Sequence, residues 1–98
     1  MAIISFRGKG TEDVYAGWNS KRARGTCPEI LWKVARRKLD LINAAVTLQD
    51  LRFPPGNMLE GLKGDRKGQH AIRINDQYRV CFVWTNAGAE NVEITDYH

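Results

Sequence analysis

The spacing of apolar residues changes along the chain, and each spacing predicts a different element. Residues 2–6 form a short apolar run rich in β-favouring side chains, which predicts an opening strand. Thr11 stands before two acidic residues, a pattern typical of a helix N-terminus, and predicts a short helix that includes Trp18. The polar stretch from Asn19 to Gly25 then predicts a turn.

The clearest helical pattern begins at Thr26, where a Thr-x-x-Glu spacing and Pro28 predict the start of a long helix. Apolar residues then recur at three- and four-residue spacing, as in an amphipathic helix that packs one side on a core. They are Ile30, Leu31, Val34, Leu41, Ile42 and Ala45. We therefore expect these six to share one apolar stripe, with the charged residues elsewhere on the helix.

Pro54, Pro55 and Gly56 end the helical pattern, and the charged, glycine-rich stretch up to Gly68 predicts a surface loop. Three alternating or continuous apolar runs follow and predict three antiparallel strands. They are Gln69–Ile74, Tyr78–Thr85 and Asn91–Thr95. The middle run is apolar on both faces, as expected for an interior strand. Helices followed by strands predict an α+β fold, with one sheet under one or two helices.

The turn at residues 75–77 sets the register of the predicted hairpin. A three-residue loop keeps apolar residues paired on one face and places Arg73 opposite Arg79 on the other. Two facing cations repel each other unless a negative group lies between them, so this register favours a phosphate site. The alternative is that one arginine pairs with Glu93 or another carboxylate from a neighbouring strand.

Length and composition narrow the classes of protein. With 98 residues, of which 43% are hydrophobic and 27% charged, we expect one globular domain spanning residues 1–98. The longest apolar run, Val80–Trp84, is too short to cross a membrane, and the first residues are too polar for an export signal. Cys27 and Cys81 are too few and too far apart for a metal knuckle, so we interpret them as reduced structural thiols of a cytoplasmic protein.

The net charge of +4 is unevenly distributed. Residues 21–38 contain seven basic side chains and one acidic side chain, and residues 63–79 contain five basic and two acidic side chains. Such zones favour a polyanionic partner, although a solvated surface rich in lysine and arginine is the alternative interpretation.

The chain closes on Asp96, Tyr97 and His98, three side chains that can hold or move protons, directly after a predicted strand. Histidine suits proton transfer near neutral pH, and tyrosine can donate a proton or stack on a base. The alternative is a frayed terminus without a role. His70 alternates with apolar residues of its strand, so we expect it to be packed and structural.

Two stretches resemble one protein family. They are Leu62–Trp84 (LKGDRKGQHAIRINDQYRVCFVW) and Val92–His98 (VEITDYH), preceded by the PPGN of residues 54–57. The chain resembles HigB-type killer toxins, members of the RelE/ParE superfamily in bacterial type II toxin–antitoxin pairs. The resemblance implies a compact RelE-like α+β domain, with N-terminal helices packed on a mostly antiparallel four-stranded sheet.

The resemblance also implies an activity and partners. These toxins cleave messenger RNA on the ribosome without a metal or cofactor, and a HigA-like helix-turn-helix antitoxin blocks them. Contact with operator DNA is then expected only through the antitoxin, and no membrane is involved. One alternative is a ParE-like inhibitor of DNA gyrase on the same fold. Another is a basic nucleic-acid-binding module without enzymatic activity.

Metal-free RNA cleavage proceeds by attack of a ribose 2′-hydroxyl on the adjacent phosphorus. It needs a base, an acid and positive charge on the phosphate. The residues that match the family's functional positions are Arg79, Lys63, Tyr97 and His98, with Asp96 able to orient the histidine or accept a proton. The resemblance does not settle which residue is the base and which the acid.

One position departs from the family pattern. Some members have a histidine two residues before the loop leucine, where this chain has Glu60. Either Glu60 serves as the base or the terminal residues do all the proton transfer, and an ordinary solvated glutamate is the structural alternative.

Other basic residues are expected to bind RNA. Arg73 would share the phosphate with Arg79, and the remaining candidates are Arg66, Lys67, Arg36 and Arg37. Phosphate contacts hold RNA without selecting its sequence. The first basic zone, residues 21–38, either binds ribosomal RNA or docks an acidic antitoxin segment.

Overall fold

The computed structural model describes residues 3–96, which contain three α-helices followed by a four-stranded sheet. The helices are α1 (Lys9–Ala16), α2 (Lys21–Thr26) and α3 (Trp32–Ala44). The strands are β1 (Glu60–Gly61), β2 (His70–Arg73), β3 (Tyr78–Thr85) and β4 (Gly88–Asp96). All neighbouring strands are antiparallel, and their order in the sheet follows the sequence. The α+β prediction is confirmed.

The hairpin has the register that its turn predicted. Ile72 pairs with Val80, and Arg73 pairs with Arg79. The β3 strand lies between β2 and β4, which explains why its side chains are apolar on both faces.

One face of the sheet packs against α3 and forms the main core, called the inner face below. The sheet contributes Ile72, Val80, Phe82 and Ile94, and the helix contributes Trp32, Ala35, Leu39 and Ile42. Burying a large apolar side chain of this kind stabilises the fold by roughly 1.5–3 kcal/mol relative to exposing it. The opposite face of the sheet, the outer face, is left for other contacts.

The opening segment is not a continuous strand. Residues 3–6 run parallel to β4 and form only two isolated bridges, from Ile3 to Ala89 and from Phe6 to Val92. The predicted loop instead contains β1. Leu62 is buried on the outer face, and this anchors the two residues before it along β2.

The N-terminal helices differ from their predicted positions. Thr11 lies inside α1 and does not cap it, because its hydroxyl accepts a hydrogen bond from the Ile94 amide at 3.0 Å. Trp18 lies beyond the helix and is exposed. The predicted turn at residues 19–25 contains most of α2, which Ser20 caps by accepting a hydrogen bond from the backbone of the third helical residue.

The long helix begins later than predicted and turns a different side to the core. A 3₁₀ turn over Glu29–Leu31 precedes it, and the Thr26 hydroxyl donates to a carbonyl of α2 instead of capping α3. Ile30 is 86% exposed, so the expected six-residue core stripe is wrong at that position. Val34 and Leu41 are only partly buried. Trp32 and Ala35, which the apolar spacing did not single out, face the core instead.

Cys27 and Cys81 are both buried free thiols, consistent with their structural interpretation. Within residues 3–96, no helix has the length and apolar character needed to cross a membrane.

Candidate active site

Arg73 and Arg79 face each other on the outer face of the sheet, near the turn of the β2–β3 hairpin. The Arg73 guanidinium forms an ion pair with Asp76 in that turn. Its second nitrogen donates to the Sδ of Met58 at 3.3 Å. One arginine therefore does pair with a carboxylate, as the structural alternative required, but the carboxylate comes from the turn and not from a neighbouring strand.

Arg79 has a different environment. Its Nη1 donates to the carbonyl oxygens of Asn75 and Tyr78, the latter at 3.2 Å. These carbonyls orient the guanidinium without cancelling its charge. Among residues 3–96, Arg79 forms no ion pair with a carboxylate. Hydrogen bonds therefore fix the guanidinium of Arg79 in place, and no carboxylate among residues 3–96 neutralises its charge.

Arg66 holds the β1–β2 loop across the outer face. Its guanidinium donates to Glu93 at 3.2 Å and to Gln69 at 3.1 Å, and its other terminal nitrogen reaches Thr95 at 3.4 Å. Arg66 and Glu93 are both partly buried, with side chains 28% and 24% exposed. These contacts make Arg66 a structural clasp of the loop, and its RNA-binding role stays a prediction.

Cys81 lies at the centre of this arrangement. Four charged side chains lie close enough to act on its thiol: Arg66, Glu93, Arg79 and Glu60. Burial is the largest influence and raises the pKa of the thiol to about 11. Leu62 and Ala71 cover Cys81, so it packs under the charged groups and is not a nucleophile among them.

The clasped loop carries two exposed lysines, Lys63 and Lys67, on either side of Arg66. Glu60 is exposed on β1, opposite Ala71. It is a diagonal neighbour of Arg73 on the outer face, and such positions lie about 7–8 Å apart. The sheet and loop therefore gather these residues on the same side as the arginine pair.

Asp96 ends β4 opposite Tyr78, and its carboxylate accepts a hydrogen bond from the Gln77 amide at 2.9 Å. It follows Thr95, the strand partner of Arg79, so it lies at the same end of the sheet as the arginine pair. Tyr97 and His98, the other two terminal candidates, lie outside the described residues.

Comparison with known proteins identifies the family of this chain. Residues 4–98 match the family of RelE-like toxins of the type II toxin–antitoxin system HigB. Toxin HigB-1 of Vibrio cholerae serotype O1 is 40% identical over 88 residues, which cover 90% of each chain. The chain belongs to the HigB family.

Other similar proteins extend the comparison. An uncharacterized protein of Haemophilus influenzae is 42% identical over 65 residues, or 66% of this chain and 64% of that protein. A chain of the YoeB–YefM complex from Staphylococcus aureus has a TM-score of 0.57 at 14% identity, and the match covers 100% of this chain and 99% of that chain. The YoeB/ParE toxin from Agrobacterium tumefaciens has a TM-score of 0.53 at 18% identity and covers both chains fully. These similarities confirm the RelE-like fold of this HigB-family chain.

Two predicted RNA-binding residues are not part of the arginine site. Arg36 and Arg37 lie on α3, which packs on the inner face, so the sheet separates them from Arg79. Arg37 lines a cleft beside α3. The fold therefore keeps the two basic zones of this HigB-family chain on different sides of the sheet.

His70 packs as a structural residue. It is partly buried and stacks on Phe82 with ring centroids 6.4 Å apart and an interplanar angle of 24°. Within the described part of the chain, its Nδ1 is buried without a hydrogen-bond partner. No group of three or more histidine, cysteine or acidic side chains in residues 3–96 is arranged to hold a metal.

Sequence reasoning missed the partners that distinguish the two arginines. Asp76 stands three residues after Arg73, so an ion pair across the turn was available as a signal. The contact of Arg73 with Met58 and the Arg66–Glu93 clasp had no such local signal. The first pair is 15 residues apart in sequence, and the second pair is 27 residues apart.

Proposed function

We propose that this HigB-family toxin is a ribosome-dependent endoribonuclease that cleaves messenger RNA in the bacterial cytoplasm and is neutralised by a HigA-like antitoxin. The observation that carries this proposal is the facing pair of Arg73 and Arg79, in which only Arg73 has a described carboxylate partner. A phosphate between them would offset the repulsion between the two cations.

The arginines fit the charge that develops during cleavage. When the 2′-hydroxyl oxygen bonds to phosphorus, negative charge grows on the non-bridging phosphate oxygens. Arg79 would hold these oxygens, because carbonyl acceptors position its guanidinium without neutralising it. Arg73 would contribute less, since Asp76 already balances part of its charge.

Two proton transfers complete the reaction. A base removes the proton of the 2′-hydroxyl, the bond from phosphorus to the 5′-oxygen breaks, and an acid protonates that leaving oxygen. The candidates in this chain are Tyr97, His98, Asp96 and Glu60. Lys63 would add positive charge from the clasped loop, with Lys67 as a further phosphate contact.

The ribosome and the antitoxin are the proposed partners. A chain of 98 residues offers little surface to orient an RNA strand, and a ribosome that presents the strand would supply this orientation. The S. aureus toxin of similar fold was solved as a YoeB–YefM complex, which supports pairing with an antitoxin. Contact with operator DNA is proposed only through that antitoxin.

Mapping transcript 5′ ends on purified translating ribosomes tests the proposal. We expect codon-phased cuts with the wild-type chain, and at least hundredfold slower cutting with Arg79→Ala, Tyr97→Ala or His98→Ala. Arg7→Ala is the matched control, because Arg7 is exposed and lies outside the site. Circular dichroism checks that each variant is folded.

Three results would contradict the proposal. Undiminished cutting by all three variants would reject the assignment of the site. Accumulated DNA breaks without phased RNA cuts would favour inhibition of gyrase, and salt-dependent RNA binding without cleavage would favour an inactive binding module.

A further inference from the structure

Helix α3 has apolar side chains on two sides. Its core side carries Ala35, Leu39 and Ile42, all fully buried. Val34 and Leu41 are seven residues apart, or about two turns, and therefore share a different side of the helix. Both contact the edge of the core but remain partly exposed. This second side explains why the helix has apolar residues beyond those that face the core.

The second apolar side forms one wall of a cleft of about 310 Å³. The cleft is lined by Val34, Arg37, Lys38, Leu41, Pro54 and Ile74. Four of these lining residues are apolar, both charged ones are basic, and none is acidic. Phe53, next to Pro54, is 70% exposed and extends the apolar surface beside the cleft.

The positive charge in the cleft has no acidic partner within residues 3–96. The Lys38 ammonium donates to the amide oxygen of Asn57 at 2.6 Å. Asn57 is fully buried and donates in turn to the carbonyls of Leu51 and Phe53, both at 3.1 Å. Burial lowers the pKa of Lys38, and the nearby charge of Arg37 lowers it further. A carboxylate entering the cleft would offset the repulsion between these two cations.

The geometry points to this cleft as the docking site for an acidic, amphipathic segment of the antitoxin. Apolar side chains of that segment would pack on Val34 and Leu41, and a carboxylate would pair with Arg37 beside Lys38. The identity of the partner rests on the proposed function, whereas the chemistry of the segment follows from the lining of the cleft.

The apolar lining favours a protein segment over ribosomal RNA. A phosphate backbone would satisfy the two cations but would bury no apolar surface against the valine and leucine. The cleft also lies away from the arginine site. Ile74 lines it from the inner face, whereas Arg73, the preceding residue, points to the outer face. An occupant of the cleft therefore need not cover Arg79.

Binding measurements with charge-reversed variants test this inference. The probe is a purified HigA-like helix-turn-helix antitoxin, and every toxin chain carries Arg79→Ala so that it can be produced. We expect Val34→Glu and Arg37→Glu each to weaken binding at least tenfold in calorimetry. Arg7→Glu and Val46→Glu are matched controls, because both residues are exposed, lie outside the cleft and outside the first basic zone, and should keep wild-type affinity. Circular dichroism identifies any variant that is unfolded, and Arg37, being exposed, keeps the test valid if Val34→Glu does not fold.

Each outcome decides the inference. Wild-type affinity of Arg37→Glu would overturn it, as would equal losses in the Arg7→Glu control. If Arg37→Glu lost co-sedimentation with ribosomes but still bound the antitoxin, the cleft would be an RNA-binding site. That result would also overturn the inference. Absence of any binding by the parent chain would reject it together with the proposed partner. The cleavage assay above is independent of this measurement, so failure of the nuclease proposal is recognised separately.

Discussion

Arg73 and Arg79 are direct cross-strand partners, yet among residues 3–96 a carboxylate neutralises only Arg73. The two residues should therefore contribute unequally to catalysis. We expect Arg79→Ala to slow single-turnover RNA cleavage on ribosomes by at least a hundredfold, the scale for losing a donor to a developing oxyanion. Arg73→Ala should slow it by about tenfold, because Asp76 already offsets that charge. Equal losses for the two variants would contradict this division.

A related prediction concerns Asp76 itself. Removing its carboxylate in Asp76→Asn frees the Arg73 guanidinium, so the toxin should bind RNA-carrying ribosomes more tightly at low salt. Affinity measured across a salt series checks this, with a steeper salt dependence expected for the variant. Lys9 and Glu12 form an exposed ion pair elsewhere, and Glu12→Gln serves as the control for a general change in net charge. An identical increase in that control would attribute the effect to net charge alone.

The Arg66–Glu93 clasp should stabilise both the fold and the position of its loop. A double-mutant cycle of Arg66→Ala and Glu93→Gln should give a coupling energy of about 1 kcal/mol in urea unfolding, the upper end for partly exposed pairs. Trypsin should also cleave after Lys63 or Lys67 faster in Arg66→Ala than in the wild type, because the loop loses its anchor. Unchanged proteolysis with no measurable coupling would show that the clasp does not hold the loop.

Asp13 should make stability depend on acid pH. Its carboxylate accepts hydrogen bonds from Ser20 at 2.6 Å and from Arg22 at 3.2 Å. The Ser20 hydrogen bond is the main reason that the pKa of Asp13 lies below its usual 3.8; burial opposes this shift and the charge of Arg22 adds to it. Because the folded-state pKa is lower than the unfolded one, this stabilisation is complete above the unfolded value and disappears as the pH falls through the folded one.

Urea unfolding of the wild type and Asp13→Asn between about pH 5 and about pH 2.5 measures this contribution. The difference in free energy of unfolding between the two chains should shrink as the pH falls. A constant difference across that range would show that the charge of Asp13 does not stabilise the fold.

Cys81 should be chemically inert while the chain is folded. With its pKa raised to about 11 by burial, about one thiol in a thousand is ionised at pH 8, and Leu62 and Ala71 cover it. Burial also raises the pKa of Cys27. At pH 8 we expect a disulfide reagent to modify the folded chain no faster than the chain unfolds locally. In guanidinium the reagent should modify both thiols at once. Immediate reaction of one thiol in the folded chain would contradict this.

The sheet was more predictable from sequence than the helices, because its signals are local. The turn after Ile74 sets a short loop length, and that length alone determines which residues pair across the hairpin. The opening residues and β1 were misassigned because their pairing depends on where distant residues are buried, as with Leu62 on the outer face.

The helical errors have a different origin. The sequence interpretation placed six apolar residues after Thr26 on one stripe, but in the structure Ile42 faces the core, Val34 and Leu41 line the cleft, and Ile30 belongs to neither. A periodic pattern shows that a helix is amphipathic without showing how many surfaces it contacts. The α2 helix was missed because its cap, Ser20, is held by a carboxylate from α1.

For the candidate site, the spacing of the turn correctly predicted that Arg73 and Arg79 face each other. It did not predict their inequality, because the acceptors and the carboxylate that distinguish them are set by the three-dimensional path of the turn. Likewise, the position of Arg66 in the second basic zone predicted an RNA contact, whereas its guanidinium makes structural contacts with Glu93 and Thr95.

The two apolar sides of α3 also bear on how toxins of this kind diverge. Leu39 and Ile42 must suit the sheet of the same chain, so substitutions there should accompany changes in the sheet. Val34 and Leu41 line the proposed docking cleft, so substitutions there should accompany changes in the antitoxin. A duplicated toxin gene could then acquire a private antitoxin by altering one side of a single helix while its fold and its arginines stay the same. Such a helix provides a short evolutionary route to several pairs that coexist in one cell without cross-neutralisation.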